Sequence, residues 1–227
     1  MISLALLGKK ISHSKSAEIY EELLAEEIDY KIYDCALPSD IPSLDYFFKN
    51  HKGLSITSPY KKFFLDKVEI SGVDLKAINC IKKSGNTYLA TNTDYLAIEE
   101  IMEGFSRRYK ELFFVILGDG VMSEITQKLL QIKNIRFVVF SRKQDPDFKN
   151  LDIPAKIGTI NAQVIIVNSC SRGFQFCGAL SKNYLFWDYN YSFLPHSERL
   201  QSKVLSYMDG LSMLKLQAKY AINFWDL

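Results

Sequence analysis

The stretch from residue 53 to residue 94 decides how this chain is interpreted, and it begins Gly53-Leu54-Ser55-Ile56-Thr57-Ser58-Pro59-Tyr60-Lys61 and ends Thr91-Asn92-Thr93-Asp94. Each end is typical of a strand that runs into a polar turn and then a helix. Pro59 suits the first turn of a helix, where its missing N–H costs nothing. Asp94 precedes an apolar run with helical spacing, so we expect it at the N-cap or in the first turn. If the two strand ends are neighbours, Lys61 and Asp94 face one cleft.

A lysine and a carboxylate in one cleft are suited to proton transfer. The carboxylate keeps the ammonium charged, and the ammonium then donates a proton to a developing alkoxide or stabilises it. The alternative is structural: Asp94 only caps its helix and Lys61 is a surface residue. The other motifs of the chain bear on this choice.

The composition is that of an ordinary globular protein, with 227 residues, 48% hydrophobic and 24% charged. A net charge of +2 and the lack of a long basic block argue against nucleic acid as the main partner. No apolar run reaches the roughly 20 residues of a membrane span, and the first eight residues are expected to form a strand rather than a signal peptide. The four cysteines show no CxxC spacing, so we expect reduced thiols, no metal site and a cytoplasmic protein.

Alternating strand and helix patterns predict an α/β protein with two domains, residues 1–94 plus 209–227 and residues 95–208. In the first half we expect strands at Ile2–Leu7, Tyr30–Leu37, Leu54–Thr57, Ile78–Lys83 and Thr87–Thr91, and helices at Ser16–Ile28 and Ser43–Lys49. In the second half we expect strands at Phe113–Leu117, Ile135–Phe140, Val164–Val167 and Tyr184–Trp187, and helices at Glu124–Ile132 and Asp209–Trp225. The segment Gln144–Gln163 has no clear helical period, so the crossover helix there is expected to be shortened or lost.

A second polar turn lies where a dinucleotide-binding loop would lie. Gly118, Gly120 and Ser123 follow a buried strand and open a helix. Glycines let backbone N–H groups approach a pyrophosphate, although Ser123 replaces the third glycine and Asp119 adds a negative charge. The next strand ends in Ser141-Arg142-Lys143, which suits a 2′-phosphate and therefore NADP. The alternatives are an ordinary structural turn and an ordinary basic turn.

Three other polar residues are candidates for binding a small ligand. Ser14 and Ser16 follow the first strand and are suited to binding a carboxylate, although Ser16 is equally suited to cap the next helix. Gln217 lies on an otherwise apolar helix and offers both a donor and an acceptor; its alternative is solvation or a backbone contact. His13 has no cysteine or carboxylate nearby in sequence and is expected to be a loop or core residue.

The order of these motifs resembles that of the shikimate dehydrogenase family over nearly the whole chain. The resemblance rests on nine short segments: His13-Ser14-Lys15-Ser16, Ser55–Lys61, Ala77-Ile78-Asn79, Asn92-Thr93-Asp94, Gly118–Ser123, Ser141-Arg142-Lys143, Asn168–Gly173, Asp188–Tyr191 and Asp209–Gln217.

The resemblance implies NADP(H)-dependent interconversion of 3-dehydroshikimate and shikimate, with Lys61 and Asp94 as the catalytic pair. It implies a first domain that binds substrate through Ser14, Ser16, Thr57, Asn79, Asp94, Tyr191 and Gln217. It also implies a Rossmann-like second domain that binds NADP through Gly118, Asp119, Gly120, Val121, Met122, Ser123, Ser141, Arg142 and Lys143. A triol acid requires several buried polar partners, which is a reason for such residues that is independent of the resemblance. We expect a monomer or a homodimer.

Several positions depart from the family's pattern. Val121 and Met122 stand where small residues are usual and are expected to crowd the diphosphate. Ala17 replaces the proline that follows Ser16, and Tyr95 replaces the glycine that follows Asp94. Two alternatives therefore stay open: a non-catalytic relative that binds a shikimate-like ligand but has a degenerate nucleotide site, and a dehydrogenase of quinate or another cyclic polyol acid.

Overall fold

The computed structural model describes residues 1–72 and 76–227. It consists of two compact units: Met1–Ala97 with Leu214–Leu227, and Ile98–Met213. Each unit has its own sheet and its own hydrophobic core. The unit boundaries fall three to five residues from the boundaries expected from the sequence, inside the helices Thr93–Arg108 and Leu211–Phe224.

In the first unit, alternating strands and helices are followed by an antiparallel hairpin. The elements in chain order are β1 (Ile2–Gly8), α1 (Ser16–Leu24), β2 (Ile28–Asp34), α2 (Leu44–Asn50), β3 (Gly53–Ile56), β4 (Glu69–Ile70), β5 (Cys80–Ser84), β6 (Thr87–Thr91) and the start of α3 (Thr93–Arg108). The sheet order is β2-β1-β3-β5-β6-β4. Strand β1 is parallel to β2 and β3, whereas β5 is antiparallel to β3 and β6.

The hairpin brings the ends of β3 and β6 to one edge of the sheet. Both strands run antiparallel to β5, which lies between them, so their carboxyl ends flank the start of β5. Cys80, the first residue of β5, pairs with Ser55 on one side and with Thr91 on the other. Two interstrand spacings of about 4.8 Å each separate β3 from β6. Side chains that follow the two strands can therefore meet across the start of β5.

The second unit contains a wholly parallel sheet. Its elements are β7 (Leu112–Leu117), α4 (Val121–Ile132), β8 (Arg136–Phe140), α5 (Ile153–Ile157), β9 (Gln163–Asn168), β10 (Leu185–Asp188), α6 (Leu194–Leu200), β11 (Ser206–Met208) and the start of α7 (Leu211–Phe224). The order β11-β10-β9-β7-β8 reverses direction at β7. In open parallel sheets, ligands bind at the carboxyl ends of the strands next to such a reversal. Between β8 and β9 the chain forms α5, which has five residues, so the predicted α/β class with a shortened crossover is confirmed.

Three helix predictions need correction. No helix starts at Pro59: the N–H groups of Tyr60 and Phe63 bond three residues back, which makes turns rather than an α-helix. The helix predicted for Ser16–Ile28 ends at Leu24 because Ala25 is left-handed, with φ 55°, and Ile28 already pairs in the sheet. The last helix begins at Leu211 rather than Asp209, whose carboxylate accepts a hydrogen bond from the Leu211 N–H.

Aromatic and aliphatic side chains fill a separate core in each unit. Phe47, Phe64 and Leu54 are buried in the first core, and Phe176 and Phe186 in the second. Fully burying one such side chain contributes about 1.5–3 kcal/mol, so each core stabilises the sheet of its own unit. Among the described residues, no helix combines the length and the apolar composition that crossing a membrane requires.

Candidate active site

Lys61 and Asp94 form a buried ion pair in the first unit. The Nζ atom of Lys61 lies 2.7 Å from Oδ2 of Asp94, and the two residues are 6% and 8% exposed. Lys61 lies in the turns after β3, and its carbonyl accepts a hydrogen bond from the N–H of Ile78 at 2.8 Å. Asp94 lies in the first turn of α3, where the helix dipole favours a negative charge. The lysine therefore crosses the start of β5 to reach the carboxylate.

The start of α3 is fixed by the two residues that precede Asp94. The side chain of Asn92 accepts a hydrogen bond from the N–H of Tyr95 at 3.0 Å and donates one to the carbonyl of Ala77 at 2.9 Å. The N–H of Thr93 donates to Oδ1 of Asn79 at 2.7 Å. Asn92 therefore takes the N-cap role, and Asp94 is a first-turn residue, as one of the two sequence alternatives had it. The side chain of Asp94 is therefore not needed as the cap, and it contacts Lys61 instead.

Asn79 and Gln217 are joined through Thr93. Nδ2 of Asn79 donates to Oγ1 of Thr93 at 3.0 Å, and Oγ1 of Thr93 donates to Oε1 of Gln217 at 3.2 Å. Nε2 of Gln217 donates to the carbonyl of Leu214 at 3.1 Å. Three polar side chains that are far apart in sequence are thus brought to the start of α3, next to the ion pair.

The serine pair lies at the start of α1. Oγ of Ser14 donates to Oγ of Ser16 at 3.0 Å and accepts the N–H of Ser16 at 3.2 Å. Ser16 is the first helical residue and Lys15 is the N-cap, so Ser16 is not the cap of this helix. Thr57, just after β3, is partly buried and donates its N–H to the carbonyl of Leu7.

Tyr20 and Ser55 are buried polar residues of this unit that the sequence analysis did not identify as site residues. Their hydroxyl oxygens are 3.1 Å apart, and Tyr20 lies one turn after Ser16 on α1. Burial raises the pKa of Tyr20 well above its usual value of 10.0, and the carboxylate of Asp94 adds to the shift. The phenol is therefore neutral and close to the ion pair. A tyrosine on the apolar face of a helix gave no signal in the sequence.

Tyr191 lies in the second unit, apart in the chain from the other substrate-binding candidates. Its carbonyl accepts a hydrogen bond from Nη1 of Arg172 at 2.7 Å, and the guanidinium lies 5.7 Å from the centre of its ring. A second guanidinium nitrogen donates to the carbonyl of Ser192 at 2.9 Å. Arg172, which the sequence analysis did not identify, therefore holds the segment that carries Tyr191.

The loop between β7 and α4 provides a glycine-lined turn at the reversal of strand order. Gly118 has φ +112°, and a Cβ atom added there would lie 2.8 Å from Oγ of Ser169. A Cβ atom added at Gly120, the N-cap residue of α4, would meet no described atom within 4 Å. No side chain in the described part of the chain caps α4, and the N-terminus of a helix favours an anion. Ser123 is buried and accepts a hydrogen bond from Gln127 at 3.0 Å.

The loop also contains the two bulky replacements. Val121 and Met122, in the first turn of α4, are both partly exposed. The open position at Gly120, the uncapped helix and the close approach at Gly118 all fit a bound diphosphate. The residues present are therefore compatible with a dinucleotide.

A charged pair links this loop to the end of β8. The carboxylate of Asp119 lies 2.7 Å from Nζ of Lys143. The hydrogen bond from Lys143 lowers the pKa of Asp119 below its usual value, and Arg142 contributes to a smaller extent. Ser141 is buried, whereas Arg142 and Lys143 are exposed. The basic turn is therefore present at the expected place, but one of its two cations is already paired.

Asp188, at the end of β10, is the centre of a buried network in the second unit. Its fully buried carboxylate accepts hydrogen bonds from His196 at 2.6 Å, Asn168 at 2.9 Å and Tyr207 at 3.2 Å. The other ring nitrogen of His196 accepts the N–H of Phe176 at 2.7 Å. This network links the ends of β9 and β10 to α6 and β11, and it explains Asn168 and Asp188 as structural residues.

The known proteins that are similar to this chain in sequence and in structure include shikimate dehydrogenases. No protein-family model matches the sequence. The NADP(+) shikimate dehydrogenase of Prochlorococcus marinus (strain MIT 9515) is 28% identical over an alignment of 266 positions, gaps included, that covers 98% of this chain and 90% of that protein. The crystal structure of shikimate dehydrogenase 1 from Peptoclostridium difficile has a TM-score of 0.74 at 25% identity, covering 100% of this chain and 92% of that one. The structure of shikimate 5-dehydrogenase from Thermus thermophilus in complex with NADP(H) and shikimate has a TM-score of 0.72 at 18% identity, covering 99% and 93%. The similarity extends over the whole chain.

Proposed function

We propose that this chain, which is similar to NADP-dependent shikimate dehydrogenases in sequence and fold over nearly all of the residues given, interconverts 3-dehydroshikimate and shikimate with NADP as cofactor. The observation that carries the proposal is the ion pair between Lys61 and Asp94, at 2.7 Å and almost fully buried. Burying two charges is often no better for stability than an apolar pair of the same volume. The pair is therefore better explained by proton transfer than by folding.

Lys61 acts as the acid in reduction and as the base in oxidation. Its ammonium donates a proton to the substrate's carbonyl oxygen as that oxygen gains negative charge, and in the reverse direction the amine recovers it. Asp94 positions the ammonium through the hydrogen bond of 2.7 Å. The cofactor supplies or accepts the hydride. General acid–base catalysis of this kind typically contributes about 10²–10⁴-fold to a rate.

The first unit supplies most of the proposed substrate contacts. Ser14 and Ser16 have neighbouring hydroxyls, which suit a carboxylate. Thr57, Asn79 and Gln217 offer donors and acceptors for the ring hydroxyls. Asp94 completes the set in this unit, and Tyr191, in the second unit, stays a prediction of the resemblance. A site with this many polar groups rejects analogues that leave the groups without partners.

The second unit is the proposed NADP-binding domain. Its diphosphate contacts would come from the loop formed by Gly118, Asp119, Gly120, Val121, Met122 and Ser123, and its 2′-phosphate contacts from the turn Ser141-Arg142-Lys143. We further propose that the protein acts in the cytoplasm, where its four free cysteines would remain reduced, and as a monomer or homodimer.

The test is a direct assay of the purified protein. Shikimate and NADP+ are mixed with the protein, and nicotinamide reduction is followed by absorbance. We expect turnover with this pair that exceeds turnover with NAD+ or with quinate in parallel reactions. Absence of turnover with any combination, from protein that is folded by circular dichroism, would refute the proposal.

Two observations favour a second candidate, a binding protein without catalysis. Asp119 places a negative charge next to the proposed diphosphate site and occupies Lys143, and Val121 and Met122 are larger than the residues usual there. Titration of NADPH, followed by its fluorescence, separates the two functions. Binding of shikimate without binding of NADPH at millimolar concentration would favour the second candidate, whereas turnover with quinate alone would favour a quinate dehydrogenase.

A further inference from the structure

A pocket beside the basic turn contains a lysine that no motif identified. The pocket has a volume of about 340 Å³ and lies wholly within the second unit, lined by Arg142, Lys149, Ser171, Gly173, Phe174 and Gln175. It lies at the carboxyl ends of β8 and β9, next to the reversal of strand order where ligands of open parallel sheets bind. Two of its six lining residues are cations.

The position of Lys149 results from the short crossover. In place of a long helix, the chain between β8 and β9 forms the single turn Phe148–Asn150 before α5. The ring of Phe148 is buried and stacks on Phe174, with centroids 4.8 Å apart. The carbonyl of Lys149 accepts the N–H of Cys177 at 2.7 Å. The backbone of this turn is thus anchored on both sides, and the lysine side chain is exposed at the pocket.

The three cations near the pocket differ in their partners. Lys143 is held by Asp119 at 2.7 Å. In residues 1–72 and 76–227, neither Arg142 nor Lys149 has an ion-pair partner within 4.0 Å. A cation that already has a carboxylate partner gains less from a phosphate than a cation that has none, because the incoming anion must compete with the carboxylate.

We propose that Arg142 and Lys149 provide most of the recognition of the 2′-phosphate of NADP, and that the pair with Asp119 leaves Lys143 a minor part in it. The inference rests on the proposed function, since it concerns the same cofactor. Arg142 offers a planar fork of N–H donors and Lys149 a compact ammonium, a combination that suits a phosphate dianion. Phe174, held by Phe148, gives the pocket an apolar wall on which a nucleotide base can stack.

The test compares two nucleotides that differ by the 2′-phosphate. Binding of 2′,5′-ADP and of 5′-AMP to the full-length protein is measured by titration calorimetry at fixed salt, and the ratio of the two dissociation constants reports on the 2′-phosphate alone. The variants are Lys149→Gln, Lys143→Gln as the matched control, and Asp119→Asn. All three side chains are at least partly exposed, so the substitutions are expected to leave the fold intact.

We expect Lys149→Gln to reduce the preference for 2′,5′-ADP by about tenfold, the loss of one charge-assisted hydrogen bond in a partly solvated site. Lys143→Gln should reduce it by less than about threefold, as expected for a cation already paired at the surface. Asp119→Asn should increase the preference by about threefold, because it releases Lys143 and removes a negative charge.

The inference is wrong if Lys149→Gln leaves the preference within about twofold of the wild type, or if Lys143→Gln reduces it more than Lys149→Gln does. Equal affinity of the wild-type protein for the two nucleotides would also overturn this inference, and with it the proposed preference for NADP. Turnover of shikimate with NAD+ would in that case still support the proposed dehydrogenase activity. Failure of this inference and failure of the proposed function are therefore distinguishable.

Discussion

The buried pair of Lys61 and Asp94 leads to a quantitative prediction about the stability of the first unit. The two side chains are 7% and 11% exposed, and their charged atoms are 2.7 Å apart. Removing one member of such a pair costs about 3–5 kcal/mol when the other charge stays buried. We expect about 3 kcal/mol for Asp94→Leu. The expected cost of Lys61→Met is about 2 kcal/mol, because the first turn of α3 still stabilises the remaining carboxylate.

The double variant should be no less stable than the milder single variant, since an apolar pair of similar volume replaces the ion pair without a buried charge. This gives a coupling free energy of about 3 kcal/mol or more. The exposed pair of Lys215 and Glu22 in the same unit, at 2.6 Å and with side chains 42% and 59% exposed, is a matched control. Its coupling free energy should be below about 1 kcal/mol.

The two tryptophans make the measurement possible, because each unit contains one. Trp225 belongs to the first unit and Trp187 to the second. The buried indole N–H of Trp187 has no hydrogen-bond partner among the described residues, so Trp187→Phe breaks no hydrogen bond. In that background, urea denaturation followed by Trp225 fluorescence reports on the first unit. A coupling free energy below about 0.5 kcal/mol would show that Lys61 and Asp94 do not stabilise each other as a buried ion pair.

Three further predictions concern single residues. Gly118→Ala should destabilise the second unit by about 2 kcal/mol, because φ is +112° and the new Cβ would meet Ser169, whereas Gly120→Ala should change the Trp187 unfolding midpoint little. Burial lowers the pKa of His51 from its usual 6.5, so the first unit should be most stable above pH 6.5 and lose stability as the pH falls below it. His51→Gln should flatten this pH dependence of the free energy of unfolding. An unchanged pH profile in this variant would show that His51 is not the group responsible. Burial raises the pKa of Cys170 to about 12, so at pH 8 the group is a thiol, and iodoacetamide should modify it far more slowly than in urea, as followed by mass spectrometry.

Strands and helices were predicted correctly from the sequence where their hydrophobic patterns were long. Strands β7 and β9 are nearly continuous apolar runs, and the loop at Gly118 was expected to follow one of them. The similarity to shikimate dehydrogenases inferred from ordered motifs is confirmed over the whole chain. The short edge strands β4 and β11 and the short helix α6 were missed because two to seven residues carry too little periodicity to be identified.

The candidate site was predictable in part. Lys61 and Asp94 were identified because each follows a strand, but their contact depends on β5 lying between those strands, and only the pairing of the sheet shows this. The link from Asn79 through Thr93 to Gln217 spans 14 positions in its first step and 124 in its second, which no local pattern reveals. The pair of Asp119 and Lys143 was predictable from the sequence. Each residue follows one of two neighbouring parallel strands, and the carboxyl ends of such strands lie at the same edge of the sheet.

The catalytic role of Lys61 is best examined by measuring the turnover of Lys61→Ala with shikimate and NADP+, alongside calorimetric titration of shikimate. We expect kcat to fall by about 10²–10⁴-fold. The dissociation constant of shikimate should change by less than about threefold, because the other polar residues of the site remain. Turnover near that of the wild type would show that Lys61 does not carry the proton and would contradict the account.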